Sequence, residues 1–310
     1  MAFLKAFGSW LPERVVTSEE AAAWVGTNAQ WVKNVSGIIE RRFAREDETV
    51  ADLAARAGAD CLERAGMLAS AVKMLLVASG SSERQFPGPA AGAAQRLGLN
   101  DVPAIDLPMA SAGSVYALSL ASRLAGQVGD ILVIGAEKMS RLVQREPKER
   151  GVAVLFGDGA GACLVSPDSG LCEVVDSQIG SDGNFSDDLY AEAGAPIRMN
   201  GRSVILQASR KIPNSIRAVL ERHGILPAQV SAFLMHQANQ NLIVRIAEAL
   251  GVPVERFYSN IERYGNTSSA SMLIAAAEWC REHTFTPGEP VVFAGFGAGF
   301  HWGALLARAV

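Results

Sequence analysis

A short signature occurs twice in this 310-residue chain. Leu62-Glu63-Arg64-Ala65-Gly66 precedes the apolar run Val72 to Ala78, and Leu220-Glu221-Arg222-His223-Gly224 precedes Val230 to Met235. Gly66 to Leu76 and Gly224 to Leu234 both span ten residues, so the offset is 158, about half the chain. The halves agree further on as well. Ser111 and its apolar segment, Gly129-Asp130 and Ile131 to Ile134 parallel Asn266, the helical stretch Ser269 to Glu282, Gly288-Glu289 and Val291 to Ala294. Each half thus holds helix–strand–helix–strand–helix–strand material, which predicts an α/β fold of mostly parallel sheets with helices between them. Two copies of one unit predict a pseudo-twofold axis, with halves at residues 1–169 and 170–310. His236 aligns with Ala78, and Asn266 falls near the equivalent of the Ser111 loop, so groups from both halves can converge at the axis.

The stretch Ala104 to Gly135 carries the first chemical signal. A strand, Ala104 to Leu107, ends at Pro108, and Ser111 opens a helix running to about Ala125. Val115, Tyr116, Leu118, Leu120 and Leu124 do not keep to one stripe, so this helix is buried on most sides. A hydroxyl at such a helix start is either a nucleophile, whose negative charge the free N–H groups and dipole favour, or simply an N-cap. Elsewhere the pattern predicts a strand and turn over 1–15 and a helix over 18–34 with Trp24 and Trp31. A basic hairpin (Gly37 to Arg45) follows, then a helix Val50 to Ala65 stopped by Gly66.

Composition excludes several classes. With 49% hydrophobic and 19% charged residues the chain can build a sizeable core and is not disordered. A net charge of −4 gives no global nucleic-acid footprint. No apolar run reaches the roughly 18 residues of a membrane span, and the N-terminus lacks a signal-peptide pattern. Cys61, Cys163, Cys172 and Cys280 show no CxxC spacing and read as reduced thiols of a cytoplasmic protein. Gly157-Asp158-Gly159-Ala160-Gly161 and Gly295-Phe296-Gly297-Ala298-Gly299 invite a phosphate-loop reading. Each is followed by a strand rather than a helix, so they are read instead as tight turns between strands or as N–H groups aimed at an oxyanion.

Four motifs in order, Phe-Gly-Asp-Gly-Ala-Gly-Ala (156–162), His-Gln-Ala-Asn (236–239), Gly-Asn-Thr-Ser (265–268) and Gly-Phe-Gly-Ala-Gly-Phe-His-Trp-Gly (295–303), give the chain a family likeness. From about residue 2 to the C-terminus it resembles the ketoacyl-acyl-carrier-protein synthase III family of thiolase-fold condensing enzymes. The resemblance implies a thiolase-like five-layer αβαβα fold, a homodimer, and coenzyme A thioesters as substrates with no metal or separate cofactor. It implies a nucleophile acylated from an acyl-CoA at position 111, with His236 and Asn266 promoting decarboxylation of a malonyl thioester, whose carbanion attacks the acyl group. Backbone N–H groups of Ser111 and Ala298 would form the oxyanion hole. Trp31, Arg150 and Asn239 would bind coenzyme A, and Phe86 and Phe156 would shape the acyl pocket, Phe86 by reaching across the dimer interface. The extender rides on coenzyme A or on an acyl carrier protein, which the sequence leaves open.

The chain departs from the family at its centre: Ser111 stands where the family has Cys. A helix N-terminus contributes up to about 2 kcal/mol, enough to bring a thiol from about 8.5 to near 7 but not to ionise a hydroxyl. On sequence, His236 is the only base for Ser111. Three readings follow: an engineered Cys-to-Ser trap, a natural oxyester-forming serine, or a chain that has lost acyl transfer. Retention of His236 and Asn266 counts against the last, and the first is preferred. Further departures are Val35 for an arginine beside Trp31, and Asn241 and Glu248-Ala249 for basic residues that face an acidic carrier protein, which weakens long-range attraction. Arg202, Arg210, Lys211, Arg217 and Arg245 either compensate or form a solvated face. The loop Asp182 to Arg198 is short for the family. Three functions remain: condensation of an acyl-CoA with a malonyl thioester in fatty-acid or specialised metabolism, acyl transfer to an alcohol or amine, or a non-catalytic partner subunit.

Overall fold

The computed structural model describes residues 1–310. The first half runs through β1 (Phe3–Trp10), β2 (Arg14–Thr17), α1 (Ser18–Trp24), α2 (Ala29–Ser36), β3 (Glu40–Phe43), α3 (Val50–Ala65), β4 (Met74–Ala78), α4 (Pro89–Leu97), β5 (Ala104–Leu107), α5 (Gly113–Val128), β6 (Ile131–Lys138), α6 (Arg150–Ala153) and β7 (Asp158–Ser166). The second runs through β8 (Cys172–Ser181), β9 (Leu189–Tyr190), β10 (Arg198–Met199), α7 (Gly201–Glu221), β11 (Ala232–Met235), α8 (Gln240–Leu250), α9 (Ile261–Tyr264), α10 (Ser271–Glu282), β12 (Pro290–Gly297) and β13 (His301–Ala309).

Nine strands form one ladder in the order β11-β12-β13-β8-β1-β7-β6-β4-β5. The order is palindromic under the internal repeat, with β4, β6, β7 and β1 answered by β11, β12, β13 and β8. Even β5 has a remnant partner, since Phe257 makes an isolated parallel bridge to Phe233 of β11. Where the halves meet, β1 and β8 pair only through Phe3–Glu173 and Leu4–Cys172. The expected parallel sheets are in fact mixed. β4 lies parallel to β5 and β6, and β11 to β12, whereas β7 and β13 return antiparallel beside β6 and β12. Gly159 and Gly161 continue inside β7, and Gly295 and Gly297 inside β12, so those positions are strand and not turn.

Five layers result. α3 and α4 cover the outer face of β1, β4, β6 and β7. α7 and α8 cover β11 to β13. Between the two sheet faces lie α5 and α10, each touching strands of both halves. Val115 and Leu118 of α5 are buried, each worth about 1.5–3 kcal/mol on burial. Local chemistry sets several boundaries: α3 begins at a capping box in which Thr49 and Asp52 bond each other's backbone, and ends at Gly66 in the left-handed region (φ 62°).

Three local expectations change. The single helix over 18–34 is two, because the chain turns at Gly26 (φ 67°) and Asn28 caps a second start. The basic segment 37–45 does not fold on itself; β3 pairs with β2 in register Arg14–Phe43. The helix after Ser111 begins at Gly113, which leaves Ser111 outside it.

Candidate active site

Ser111 occupies an elbow between β5 and α5 with φ 60°, a left-handed conformation that costs a side-chain-bearing residue about 1–3 kcal/mol. It is neither helical nor the N-cap, which is Ala112 with no side-chain bond. Packing on both sides holds the elbow in place. A β-carbon on Gly113 would come 2.8 Å from that of Ala78, and one on Gly297 would come 2.8 Å from Ser111 Cβ and 2.4 Å from the Ala110 carbonyl. Small residues here let two strand ends close on the Ser111 elbow.

His236 follows the last residue of β11, and Asn266 bridges Phe156 in parallel pairing. Asn266 is anchored by its N–H donating to the Leu155 carbonyl (2.9 Å) and its carbonyl accepting from Gly157 N–H (3.0 Å). Its side-chain oxygen accepts from Ser268 N–H at 2.8 Å, which fixes the amide so that its NH₂ is the end left for a substrate. Ser111, His236 and Asn266 line one cavity of about 560 Å³ with Trp31, Phe156, Asn239 and Ala298. That is the size of a small-molecule site.

One hydroxyl-rich segment, Ser268 to Ser271, touches both Ser111 and His236. Ser268, itself at φ 50°, accepts from Ser111 N–H at 2.9 Å, and the two hydroxyls stand 3.3 Å apart. The oxyanion-hole N–H expected at Ser111 thus already holds a hydroxyl oxygen. Ser271 Oγ lies 2.6 Å from His236 Nδ1, accepts from Gln237 N–H (3.0 Å) and donates to the Ser268 carbonyl (2.9 Å). With its one proton spent there, the contact assigns the ring proton to Nδ1 and leaves Nε2 as acceptor. Burial holds His236 down at about 4. The expected pairing of His236 with the Ser111 hydroxyl is not made: Ser271 engages the histidine and Ser268 the serine. Sequence reading passed over Ser268 and Ser271, although a run of hydroxyls ahead of a buried helix was visible.

No cysteine substitutes for the missing thiol. Burial pushes Cys61 and Cys172 up to about 12, and no cysteine lines the cavity. Trp31 and Val35 line the cavity wall, and the Arg150 guanidinium, which does not line it, lies 5.4 Å from the Trp31 ring centroid. Asn239 reaches the cavity but is committed elsewhere. Its oxygen caps α8 through Asn241 N–H, and its NH₂ donates to the Val35 carbonyl at 2.7 Å. The second N–H of its amide remains for a ligand in the cavity. Phe156 is buried in the wall; Phe86 is 83% exposed and outside the cavity of its own chain. Of the five basic residues, Lys211 binds Asp182 and Arg217 the Ala249 carbonyl, while Arg202, Arg210 and Arg245 are exposed and form no ion pair.

A five-layer α/β fold with a strained hydroxyl elbow, an imidazole and a carboxamide on one cavity is that of a thiolase-like condensing enzyme. The profile described as 3-oxoacyl-[acyl-carrier-protein (ACP)] synthase III matches residues 105–183, and that of its C terminal matches 220–309. The Beta-ketoacyl-[acyl-carrier-protein] synthase III of Oleidesulfovibrio alaskensis is 36% identical, covering 99% of this chain and 98% of that protein. The crystal structure of 3-oxoacyl-[acyl-carrier-protein] synthase III from Aquifex aeolicus superposes with a TM-score of 0.95 at 34% identity, over 99% of this chain and 100% of that one. The priming beta-ketosynthase of the R1128 polyketide pathway gives 0.92 at 28% identity, over 100% and 96%. The chain belongs to the 3-oxoacyl-[acyl-carrier-protein] synthase III family.

Proposed function

We propose that the chain transfers an acyl group from an acyl-CoA to Ser111 and condenses it, as a homodimer, with a malonyl thioester. One observation supports this most: Ser111, His236 and Asn266, from three distant segments, share one cavity that Trp31 also lines, with Arg150 against the Trp31 ring. Trp31 would stack on the adenine with Arg150 over the ring. Ala298 N–H and, once Ser268 releases it, Ser111 N–H would hold the tetrahedral oxyanion. The free NH₂ of Asn266 would stabilise the enolate left by decarboxylation. His236 would add a second donor in its other tautomer, with solvent taking the Nδ1 proton and supplying one to Nε2 while Ser271 turns its hydroxyl from the Ser268 carbonyl to Nδ1. Phe86, exposed in the single chain, would complete the partner's acyl pocket. The exposed arginines of α7 and α8 would receive an acidic carrier protein, so an extender on that carrier is the form adopted here.

The serine itself favours one alternative, an oxyester passed to an alcohol or amine, because an oxyester is a more stable acyl store than a thioester. Two measurements test the proposal: the mass of the chain after incubation with acyl-CoA, and carbon dioxide released from a malonyl thioester. Acylation at Ser111 with carbon dioxide release is expected. Acylation without release points to transfer alone, and neither activity refutes the proposal.

A further inference from the structure

His301 lines the cavity and has no place in the chemistry described so far. It opens β13, directly opposite Gly297 of β12 and Ser181 of β8. Opposed residues of antiparallel strands share one face, with β-carbons about 4.5–5.5 Å apart. A β-carbon on Gly297 would stand 2.8 Å from Ser111 Cβ. The imidazole is therefore on the elbow side of the sheet, its Cβ within about 8 Å of that of Ser111. There the ring packs edge-on against Tyr116 of α5, with 5.6 Å between centroids. A chain of hydrogen bonds fixes which ring nitrogen carries the proton. Tyr116 Oη donates its one proton to the Gly180 carbonyl (2.6 Å), so it accepts from Ser181 Oγ at 2.9 Å. With that proton spent, Ser181 Oγ accepts from His301 Nδ1 at 2.7 Å. Nε2 is thereby left as an acceptor, and no group of the chain donates to it. Neither Ser181 nor Tyr116 lines the cavity, whereas Gly299, over which the Nε2 edge of the ring packs, does. Burial lowers His301 below the ordinary imidazole value, so the ring is neutral at pH 7.

We propose that His301 is a specificity-determining residue, whose Nε2 accepts a hydrogen bond from a hydroxyl on carbon 2 or 3 of the acyl group, so that the preferred starter is a hydroxyacyl thioester. The inference rests on the reading that Ser111 is acylated. The gap between the two β-carbons is bridged by an ester on Ser111 Oγ, a hydroxyl two or three bonds beyond its carbonyl carbon, and the imidazole itself. Much of the remaining wall is apolar, with Leu142, Leu155, Leu189, Ile197, Ile205 and Phe296. An unsubstituted alkyl chain would cover Nε2 and leave it without a donor, whereas a hydroxyl supplies one. A site that holds a substrate hydroxyl in this way discriminates against the analogue that lacks it. No acidic side chain lines the cavity. An ammonium in the same place would be an unpaired charge, so the neutral donor is the one that fits. Ser181 and Tyr116 do not touch the acyl group; they position the ring by holding its proton on Nδ1.

The test compares acyl loading from 2-hydroxybutyryl-CoA, 3-hydroxybutyryl-CoA and butyryl-CoA at subsaturating concentration, read by rapid-quench intact mass. The unsubstituted chain is expected to load at least one of the hydroxyacyl substrates about tenfold or more faster than butyryl-CoA. His301→Leu and His301→Phe, apolar replacements of different shape, are each expected to bring that ratio to within about threefold of unity. The ratio is taken within one variant, so a general loss of activity or of folded protein cancels from it. A purely structural role for His301 would lower all three rates together and leave the ratio in place. No preference in the unsubstituted chain, or a preference that persists in either apolar variant, overturns the role of His301 alone. Loading of none of the three by the unsubstituted chain and by Ser111→Cys overturns the acyl-transfer reading and this inference with it.

Discussion

Burial of His236 ties the site to the stability of the fold through pH. Its imidazole is held at about 4, against 6.5 in an unfolded chain. Below pH 6.5 the unfolded chain gains a proton that the native chain does not, so the stability linked to His236 is complete above 6.5 and falls as pH drops toward 4. At about 1.4 kcal/mol for each tenfold change, the gap between the two values amounts to roughly 3 kcal/mol by pH 4 and about 1.4 kcal/mol at pH 5.5. Asp158 acts in the opposite sense. Burial raises it to about 6 from 3.8, so the native chain binds its proton first and gains stability as pH falls through the same window. Glu137, also raised, adds to that. The total curve is consequently flattened, and the difference between chains is what reports His236. Urea unfolding of the unsubstituted chain and of His236→Gln at pH 7.5, 6.5 and 5.5 should show the unsubstituted chain losing about 1.4 kcal/mol more between the first and last. Parallel curves would refute the reasoning, since they would mean that the imidazole is protonated in the native cavity.

Two further outcomes follow from the geometry. Gly297→Ala puts a methyl group within 2.4–2.9 Å of Ala110 O, Ser111 Cβ and Ala112 N, none of them a flexible side-chain end. It should cost about 1–3 kcal/mol and, by moving the elbow, slow acyl loading about 10²-fold; unchanged melting temperature and loading would show that the elbow has slack. Trp31→Ala should raise the KM for acyl-CoA about 5- to 100-fold by loss of stacking with kcat little changed, and an unaltered KM in steady-state assays would remove Trp31 from the coenzyme A site.

Much of the architecture was readable before any coordinates. The 158-residue offset located β4 against β11 and the two buried helices against each other, because repeated burial imposes repeated apolar spacing. The Thr49–Asp52 box and Gly66 marked α3 because capping uses near neighbours alone. Ser111, His236 and Asn266 could be named from motifs, and their convergence followed from the duplication. Tertiary structure alone decided what each of them touches. The left-handed backbone of Ser111 and Ser268 depends on packing against residues 150 or more positions away, so the local sequence reads Ser111 as a helix start. The choice of Ser271 over Ser111 as partner for His236, the bond from the Asn239 amide to the Val35 carbonyl, and the bond from Ser269 N–H to the buried Glu137 are likewise contacts between segments. Spacing along a chain reports which face a side chain occupies; which polar group it meets there depends on how distant segments pack.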